Sequence, residues 1–257
     1  MDLGIKDRVA LVTGASRGLG RESALALGRE GVKVAICART EGPLAGVVEE
    51  LKSNGTDAVG VAGDITDAGD TERLYKEVVD ALGPVDILVN NVGGSRGRTI
   101  DDVTPEQLTE TFDLNVFGAL RLVKLVLPDM RAKRWGRIIN VASIYGREFG
   151  GGLAYMTAKS ALIGMTKHLA ISLAKDGVLV NSVAPGSIDA PGGTWERFQQ
   201  QQPPEVVKEF IDRNLPMGKF GWPEPVGDTV AFLASERASL ITGACINIDG
   251  GQSKSLF

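Results

Sequence analysis

An apolar run from Arg8 to Thr13 passes straight into Gly14-Ala15-Ser16-Arg17-Gly18-Leu19-Gly20. A helical pattern then reaches about Arg29, and a second apolar run spans Val32 to Ala38. Strand, glycine turn, helix and strand within roughly thirty residues form a βαβ unit of the kind that binds dinucleotides. Glycines at such a turn let the backbone approach a pyrophosphate. The helix start that follows offers unpaired N–H groups and the positive end of its dipole. Gly14, Ser16, Arg17, Gly18, Leu19 and Gly20 are therefore the first candidate cofactor-binding residues.

The alternation continues down the chain. A helix is expected near Leu44 to Ser53, then a strand Ala58 to Gly63 with Asp64-Ile65 at its end. A strand Asp86 to Asn90 runs into Asn90-Asn91-Val92-Gly93-Gly94, and Arg137 to Ala142 is the fifth strand. Val178 to Ala184 ends in Pro185-Gly186, and a helix near Val226 to Ala234 precedes a last strand, Ala244 to Ile248. Thr104-Pro105-Glu106-Gln107 carries a cap, a first-turn proline and a capping-box glutamine, predicting one long helix toward Met130 with Asn115 on it. Residues 187 to about 221 break the rhythm with Pro191, Gly192, Gly193, Pro203, Pro204, a glutamine run and one short helical stretch, Glu205 to Arg213. So long a connection reads as a substrate lid. The expected architecture is α/β, a single doubly wound domain over residues 1–257 with a seven-stranded parallel sheet. The candidate residues fall at strand carboxyl ends, where ligands bind in such sheets.

Composition narrows the function classes. With 257 residues and 43% hydrophobic content the chain can bury a large core. A net charge of −4 gives no reason to expect nucleic acid or an anionic membrane as a partner. Arg121 and Lys124 interrupt the most apolar helix, so no membrane span is expected. Cys37 and Cys245 lie in apolar runs without disulfide or metal-ligand spacing, and Met1 to Asp7 lacks a signal-peptide pattern. A cytoplasmic protein without a metal is expected.

The chemistry concentrates between Ser143 and Lys159. Ser143 follows the fifth strand, a glycine loop spans Gly150 to Gly152, and a helical pattern opens near Tyr155. Tyr155 and Lys159, four apart, sit about 40° apart around a helix axis and about 6 Å along it. Both can enter one cleft, and Ser143 can reach it from the other side. An ammonium about 4 Å from a phenol, at an effective dielectric near 20, favours phenolate by about 4 kcal/mol. That is about three pKa units, enough for Tyr155 to exchange protons near neutrality. In isolation the commoner explanation is an amphipathic tyrosine beside a solvated lysine; the rest of the chain reverses that weighting.

Other positions carry paired readings. The second strand ends in Ala38-Arg39, where a carboxylate usually holds the ribose hydroxyls. Arg39 and Arg17 suit a 2′-phosphate instead, so NADP(H) is expected over NAD(H). Glu41 is the alternative ribose partner. Asp64 either accepts from an adenine amino group or caps the next helix. Asn115, among apolar residues, is a structural bridge or a water-holder. His168 lies more than three turns from Tyr155 and reads as structural or interfacial. Trp195 and Phe198 either line a substrate pocket or pack the lid.

Glycines 14, 18 and 20, Asn90-Asn91-Val92-Gly93, Asn115, Ser143, Tyr155, Lys159 and Pro185-Gly186 occur together in this order. Over essentially its whole length the chain resembles the short-chain dehydrogenase/reductase family. The resemblance implies a Rossmann-like fold and hydride transfer between nicotinamide C4 and a carbonyl carbon. It implies that Tyr155 is the acid in reduction and the base in oxidation. Lys159 would lower the Tyr155 pKa and hold the nicotinamide ribose, Ser143 would bind the substrate carbonyl, and Asn115 would hold a water. Asp64, Ile65, Asn91, Gly93, Pro185, Gly186 and Ile188 would join the glycine turn, Tyr155 and Lys159 in binding the cofactor. A homotetramer is implied, with the helices around 105–130 and 155–175 in one interface and the last strand in another. Two positions depart from the family pattern. Val92 stands where alanine is common, and Ala190 where a threonine often contacts the cofactor, with Thr194 as a substitute.

The ending Ile241-Thr242-Gly243-Ala244 to Asp249-Gly250-Gly251 is similar to that of 3-oxoacyl-carrier-protein reductases. Arg131, Lys133, Arg134 and Arg137 offer a basic cluster for an acidic carrier; Asp176 and the long lid speak against one. The expected activity is NADPH-dependent reduction of a small-molecule carbonyl, with a 3-oxoacyl thioester as one substrate class. The alternative is an NAD(P)-dependent secondary-alcohol, sugar or polyol dehydrogenase. A non-catalytic dinucleotide sensor is the third reading; it would have no need for Ser143, Tyr155 and Lys159 together.

Overall fold

The computed structural model describes residues 1–256. Among them, seven strands make one parallel sheet: β1 (Val9–Thr13), β2 (Lys33–Ala38), β3 (Ala58–Ala62), β4 (Ile87–Asn90), β5 (Gly136–Val141), β6 (Val178–Pro185) and β7 (Cys245–Ile248). Their order is β3-β2-β1-β4-β5-β6-β7. The chain winds outward from β1 to β3, returns to β4 beside β1, and winds outward the other way. Every pairing is parallel, with Val12 level with Ile36 and Val89, and Asn90 level with Asn140. Parallel neighbours need crossovers, so both faces are covered by helices.

Alternate strand residues serve opposite faces, as a period of two requires. Val12, Ile36, Val89, Ile139 and Val183 pack against α1 (Gly18–Arg29), α2 (Glu41–Ser53) and α9 (Glu224–Ala234). Leu11, Cys37, Leu88, Ile138 and Val180 pack against α3 (Ala68–Leu82), α5 (Gly118–Lys133) and α6 (Leu153–Leu173). The reversal of strand order between β1 and β4 opens a crevice at their carboxyl ends, where the Gly14 turn and Asn91 to Gly94 meet. Among the described residues no helix is long and apolar enough to cross a membrane.

Three expectations are corrected. The long helix from Thr104 is not continuous: α4 (Pro105–Phe112) and α5 are separated by a π turn, Asp113–Phe117. Asn115 supplies the cause. Its Nδ2 donates to Thr111 O at 2.7 Å, the carbonyl that a regular helix gives to the backbone N–H of residue 115. The side chain competes with its own backbone, and the turn widens so that Gly118 N reaches Asp113 O.

The segment 187–221 holds two helices rather than one: α7 (Thr194–Gln201), which absorbs most of the glutamine run, and α8 (Pro204–Asn214). Trp195, Phe198, Phe210 and Phe220 form a small apolar cluster of their own, with ring centroids 4.8 Å apart for Trp195–Phe210 and 5.7 Å for Phe210–Phe220. These rings are the core of the segment, which favours the packing reading of Trp195 and Phe198.

The basic cluster lies at the wrong end of the molecule. It flanks the start of β5, about 20 Å along the strand direction from Ser143. Its charges are also taken. Arg131 pairs with Asp176 at 2.7 Å, Lys133 with Asp86 at 2.7 Å, and Arg134 donates to Lys175 O at 2.9 Å. Arg137 is 3% exposed, and its guanidinium stacks on Trp135.

Candidate active site

The floor of the crevice is built by side chains that sew strand ends together. Thr13 Oγ1 accepts from Asn91 N at 2.9 Å and Val92 N at 3.2 Å and donates to Val89 O at 3.3 Å. Asn91 Nδ2 donates back to Thr13 O at 2.9 Å and Gly14 O at 3.1 Å. Nothing in its sequence context singled out Thr13. The only signal was a hydroxyl at the last residue of a strand preceding the glycine turn. Gly14 turns the chain with φ +62°, a conformation that side chains disfavour.

The start of α1 is free to bind an anion. Its N-cap, Arg17, makes no side-chain cap bond, and no acidic residue occupies the first turn. The first-turn N–H groups therefore lack the usual internal partner. Arg17 and Arg39 are exposed, and neither guanidinium has a hydrogen-bond or ion-pair partner among the described residues. Ser16 and Leu19 line the same turn, half-buried, and Gly20 is buried. These groups fit a dinucleotide phosphate, with two guanidinium groups left over for a further phosphate.

Asp64 is engaged locally through one of its two carboxylate oxygens. Its Oδ1 takes Thr66 N at 2.9 Å and Thr66 Oγ1 at 2.8 Å, a local turn, while the cap of α3 is Asp67. Ile65 is buried, its carbonyl engaged by Thr71 and Arg121. On the far side, Gly186 N donates to Ile248 O at 3.1 Å, and Ile188 forms a parallel bridge with Gly221. Pro185 is the last residue of β6. Ala190 is buried, whereas Thr194 is exposed at the start of α7, so the expected substitution of Thr194 for a threonine at 190 finds no support.

Ser143, Tyr155 and Lys159 meet at the carboxyl end of β5. Lys159 is 2% exposed, and its Nζ donates to Val141 O at 2.8 Å. Nζ lies 5.6 Å from the centre of the Tyr155 ring. Asn115 and Lys159 converge on Gly93: a Cβ there would sit 2.9 Å from Asn115 Oδ1 and 3.0 Å from Lys159 Nζ. Asn115 Nδ2 also donates to Gly94 O at 2.7 Å, so both amide hydrogens are spent in bridging the helix to the Gly93-Gly94 loop. Ser143 Oγ accepts from Tyr145 N at 3.2 Å, which leaves its own proton for another acceptor. His168 is exposed, well along α6.

The electrostatics differ from the sequence expectation. Burial of the Tyr155 hydroxyl pushes its pKa above the ordinary phenol value. A hydrogen bond with Ser143 pulls the other way, and neighbouring Tyr145 adds to the rise. Lys159 does not offset this, because its ammonium is turned to Val141. Burial lowers the Lys159 pKa to about 8. The protein alone therefore holds a protonated phenol beside a costly buried ammonium.

Comparison with known proteins places the chain in a family. The profile of the short chain dehydrogenase family matches residues 8–202. A 3-oxoacyl-[acyl-carrier-protein] reductase of Staphylococcus aureus is 37% identical over 244 residues, 94% of this chain and 96% of that protein. The (2S)-[(R)-hydroxy(phenyl)methyl]succinyl-CoA dehydrogenase subunit BbsD of Thauera aromatica is 33% identical, covering 98% of each chain. Among solved structures, L-sorbose reductase of Gluconobacter frateurii, complexed with NADPH and L-sorbose, superposes with a TM-score of 0.93 at 31% identity over 100% of both chains.

The buried ammonium carries a stability cost that a substitution can expose. Its folded pKa, about 8, lies below the ordinary 10.5. Between those values the unfolded chain binds more protons, so wild-type stability rises with pH across that window. Below it the full penalty, about 3 kcal/mol, applies. Lys159→Met is expected to raise the melting midpoint at pH 7 by a few degrees, a gain that shrinks toward pH 10.5. Calorimetry at a series of pH values checks this; a lower midpoint at pH 7 contradicts it.

Proposed function

The chain belongs to the short chain dehydrogenase family, and we propose that it is an oxidoreductase that uses NADPH to reduce a carbonyl to a secondary alcohol. The observation that carries the reading is the convergence of Ser143, Tyr155 and Lys159 at the end of β5, with the phenol held protonated. When bound, the dinucleotide supplies the hydride. Ser143 donates a hydrogen bond to the substrate carbonyl oxygen, and Tyr155 gives that oxygen its proton. The Lys159 ammonium donates to Val141 O and would hold the nicotinamide ribose of a bound dinucleotide. Asn115 fixes Gly94 and, through Oδ1 facing Gly93, the position of Lys159.

The glycine turn, Asp64, Ile65, Asn91, Gly93, Pro185, Gly186 and Ile188 line the cofactor cleft. Arg17 and Arg39, exposed and unpaired, select NADP(H) over NAD(H) through the 2′-phosphate. Residues 187–221 form the substrate lid of one catalytic domain. A homotetramer is supported by Phe117, Leu120 and Ile171, apolar and exposed on the π turn, α5 and α6. Free Cys37 and Cys245 suit the cytoplasm. The S. aureus relative argues for a 3-oxoacyl thioester as substrate, but the paired basic cluster at the far end of β5 speaks against a carrier protein docking there. The L-sorbose reductase similarity favours a polyhydroxy ketone as the second reading. Assays with acetoacetyl thioesters, small ketones, quinones and oxidised sugars separate the two.

Tyr155→Phe is expected to abolish turnover while NADPH affinity stays within about twofold, since a phenyl ring keeps the packing and loses only the proton. For wild type, the reductive kcat/KM is expected to stay flat through neutral pH. It should fall about tenfold per unit above the phenol pKa, with the oxidative direction showing the opposite trend. A reductive rate that rises with pH rejects Tyr155 as the acid. Arg17→Ala with Arg39→Ala is expected to raise KM for NADPH about tenfold or more and to leave that for NADH unchanged. Equal KM values for the two cofactors in wild type reject the preference.

A further inference from the structure

The segment that follows β7 is bonded to both walls of the cleft. Asp249 shapes it: Oδ1 accepts from Gly251 N at 2.9 Å and Oδ2 from Ser253 N at 2.8 Å. Gln252, 9% exposed, accepts through Oε1 from Ser187 N at 2.7 Å, directly after Pro185-Gly186. On the opposite wall a single oxygen of Glu148 accepts three hydrogen bonds. They come from Ser253 Oγ at 3.0 Å, Lys254 N at 2.8 Å and Ser255 N at 2.9 Å. Beside it, Arg147 donates to Cys245 O at 3.0 Å and to the Asn247 side chain, both on β7. Hydrogen bonds to an ionised carboxylate are roughly twice as strong as neutral ones.

Glu148 is connected to the reacting groups by a short path. A 3₁₀ turn, Ile144–Gly146, separates it from Ser143. Within that turn Tyr145 N donates to Ser143 Oγ, and Glu148 N donates to Ile144 O at 3.1 Å. The Tyr145 ring lies against the loop that leads into α6: a Cβ on Gly151 would sit 3.0 Å from that ring and 3.5 Å from Tyr155 Cδ1. The turn is also packed on α6 itself, where Ser160 Oγ donates to Gly146 O at 3.0 Å. The turn that carries Ser143 and Tyr145 thus links Glu148 to α6, the helix that carries Tyr155.

We propose that residues 249–255 and Glu148 form a strap that sets the distance between Ser143 and Tyr155. Glu148 is then a positioning residue for carbonyl reduction, and the proposal rests on the reductase reading above. The alternative is a purely structural anchor, which would contribute stability and leave turnover by the folded enzyme unchanged.

Four variants of the full chain decide between them: deletion of residues 253–257, Glu148→Ala, Glu148→Gln, and the deletion combined with Glu148→Ala. Each is assayed with NADPH and the carbonyl that the wild type reduces best, alongside NADPH affinity by fluorescence and the melting midpoint. Deletion and Glu148→Ala are each expected to lower kcat about tenfold or more, as misplacement of a reacting group does. NADPH affinity should stay within about twofold, because no phosphate contact changes. Glu148→Gln keeps an acceptor oxygen and should recover most of kcat. In the deleted protein Glu148→Ala should add nothing, since the deletion already removes all three hydrogen bonds that Glu148 accepts from the strap. Unchanged kcat in the deletion and in Glu148→Ala overturns the strap, as do losses that multiply in the combination. A wild type that reduces no carbonyl overturns the reductase reading and the strap with it; an active wild type with indifferent variants overturns the strap alone.

Discussion

The bond from the Lys159 ammonium to the carbonyl of Val141 is the constraint around which the cleft is arranged. A charge 2% exposed is tolerated only with a fixed partner, and here that partner is the last residue of β5. The bond fixes α6 against the end of the sheet. It thereby determines where Tyr155, one helical turn earlier, meets Ser143, two residues beyond Val141. The requirement spreads outward. Gly93 must lack a side chain because Nζ and Asn115 Oδ1 occupy the space a Cβ would need. Gly146 must lack one because the backbone of residue 159 lies against it. Asn115 widens its own helix into a π turn so that its amide can reach Gly94.

The same burial that fixes the ammonium keeps the Tyr155 phenol in its protonated form. Low polarity around the Tyr155 hydroxyl raises its pKa, so the phenol is a proton donor at neutral pH. Reduction needs that donor. Oxidation needs phenolate, which must be stabilised by positive charge brought into the cleft, either a reoriented Lys159 or a cationic nicotinamide ring. On the function proposed above, a buried ammonium and a half-buried phenol leave the tuning of the tyrosine to the cofactor.

Much of this was legible from periodicity and spacing. Strand and helix order, the glycine turn and the shared face of Tyr155 and Lys159 follow from patterns of two, 3.6 and four residues. What escaped depends on contacts between distant residues. The four-residue spacing predicted an ammonium beside the phenol, yet spacing says nothing of a carbonyl on another element that competes for the ammonium. The π turn required knowing that Asn115 reaches Thr111 O. The second lid helix was hidden because four glutamines carry no apolar periodicity; Trp195 and Phe198 bind that helix to Phe210 and Phe220 instead. The cluster Arg131 to Arg137 read as a docking patch until β5 placed it at the opposite end of the sheet, paired with Asp176 and Asp86. Glu148 gave no signal, because its partners lie more than a hundred residues away.

The most direct test is the titration of the Tyr155 phenol itself, read from absorbance at 295 nm by difference against Tyr155→Phe, in the free protein and with NADP+ bound. An apparent pKa above the ordinary value of about 10 in the free protein, falling below it in the complex, is expected. A phenol already titrating near neutrality in the free protein, or one that NADP+ leaves unmoved, would contradict the picture of a buried phenol and ammonium tuned only when the cofactor arrives.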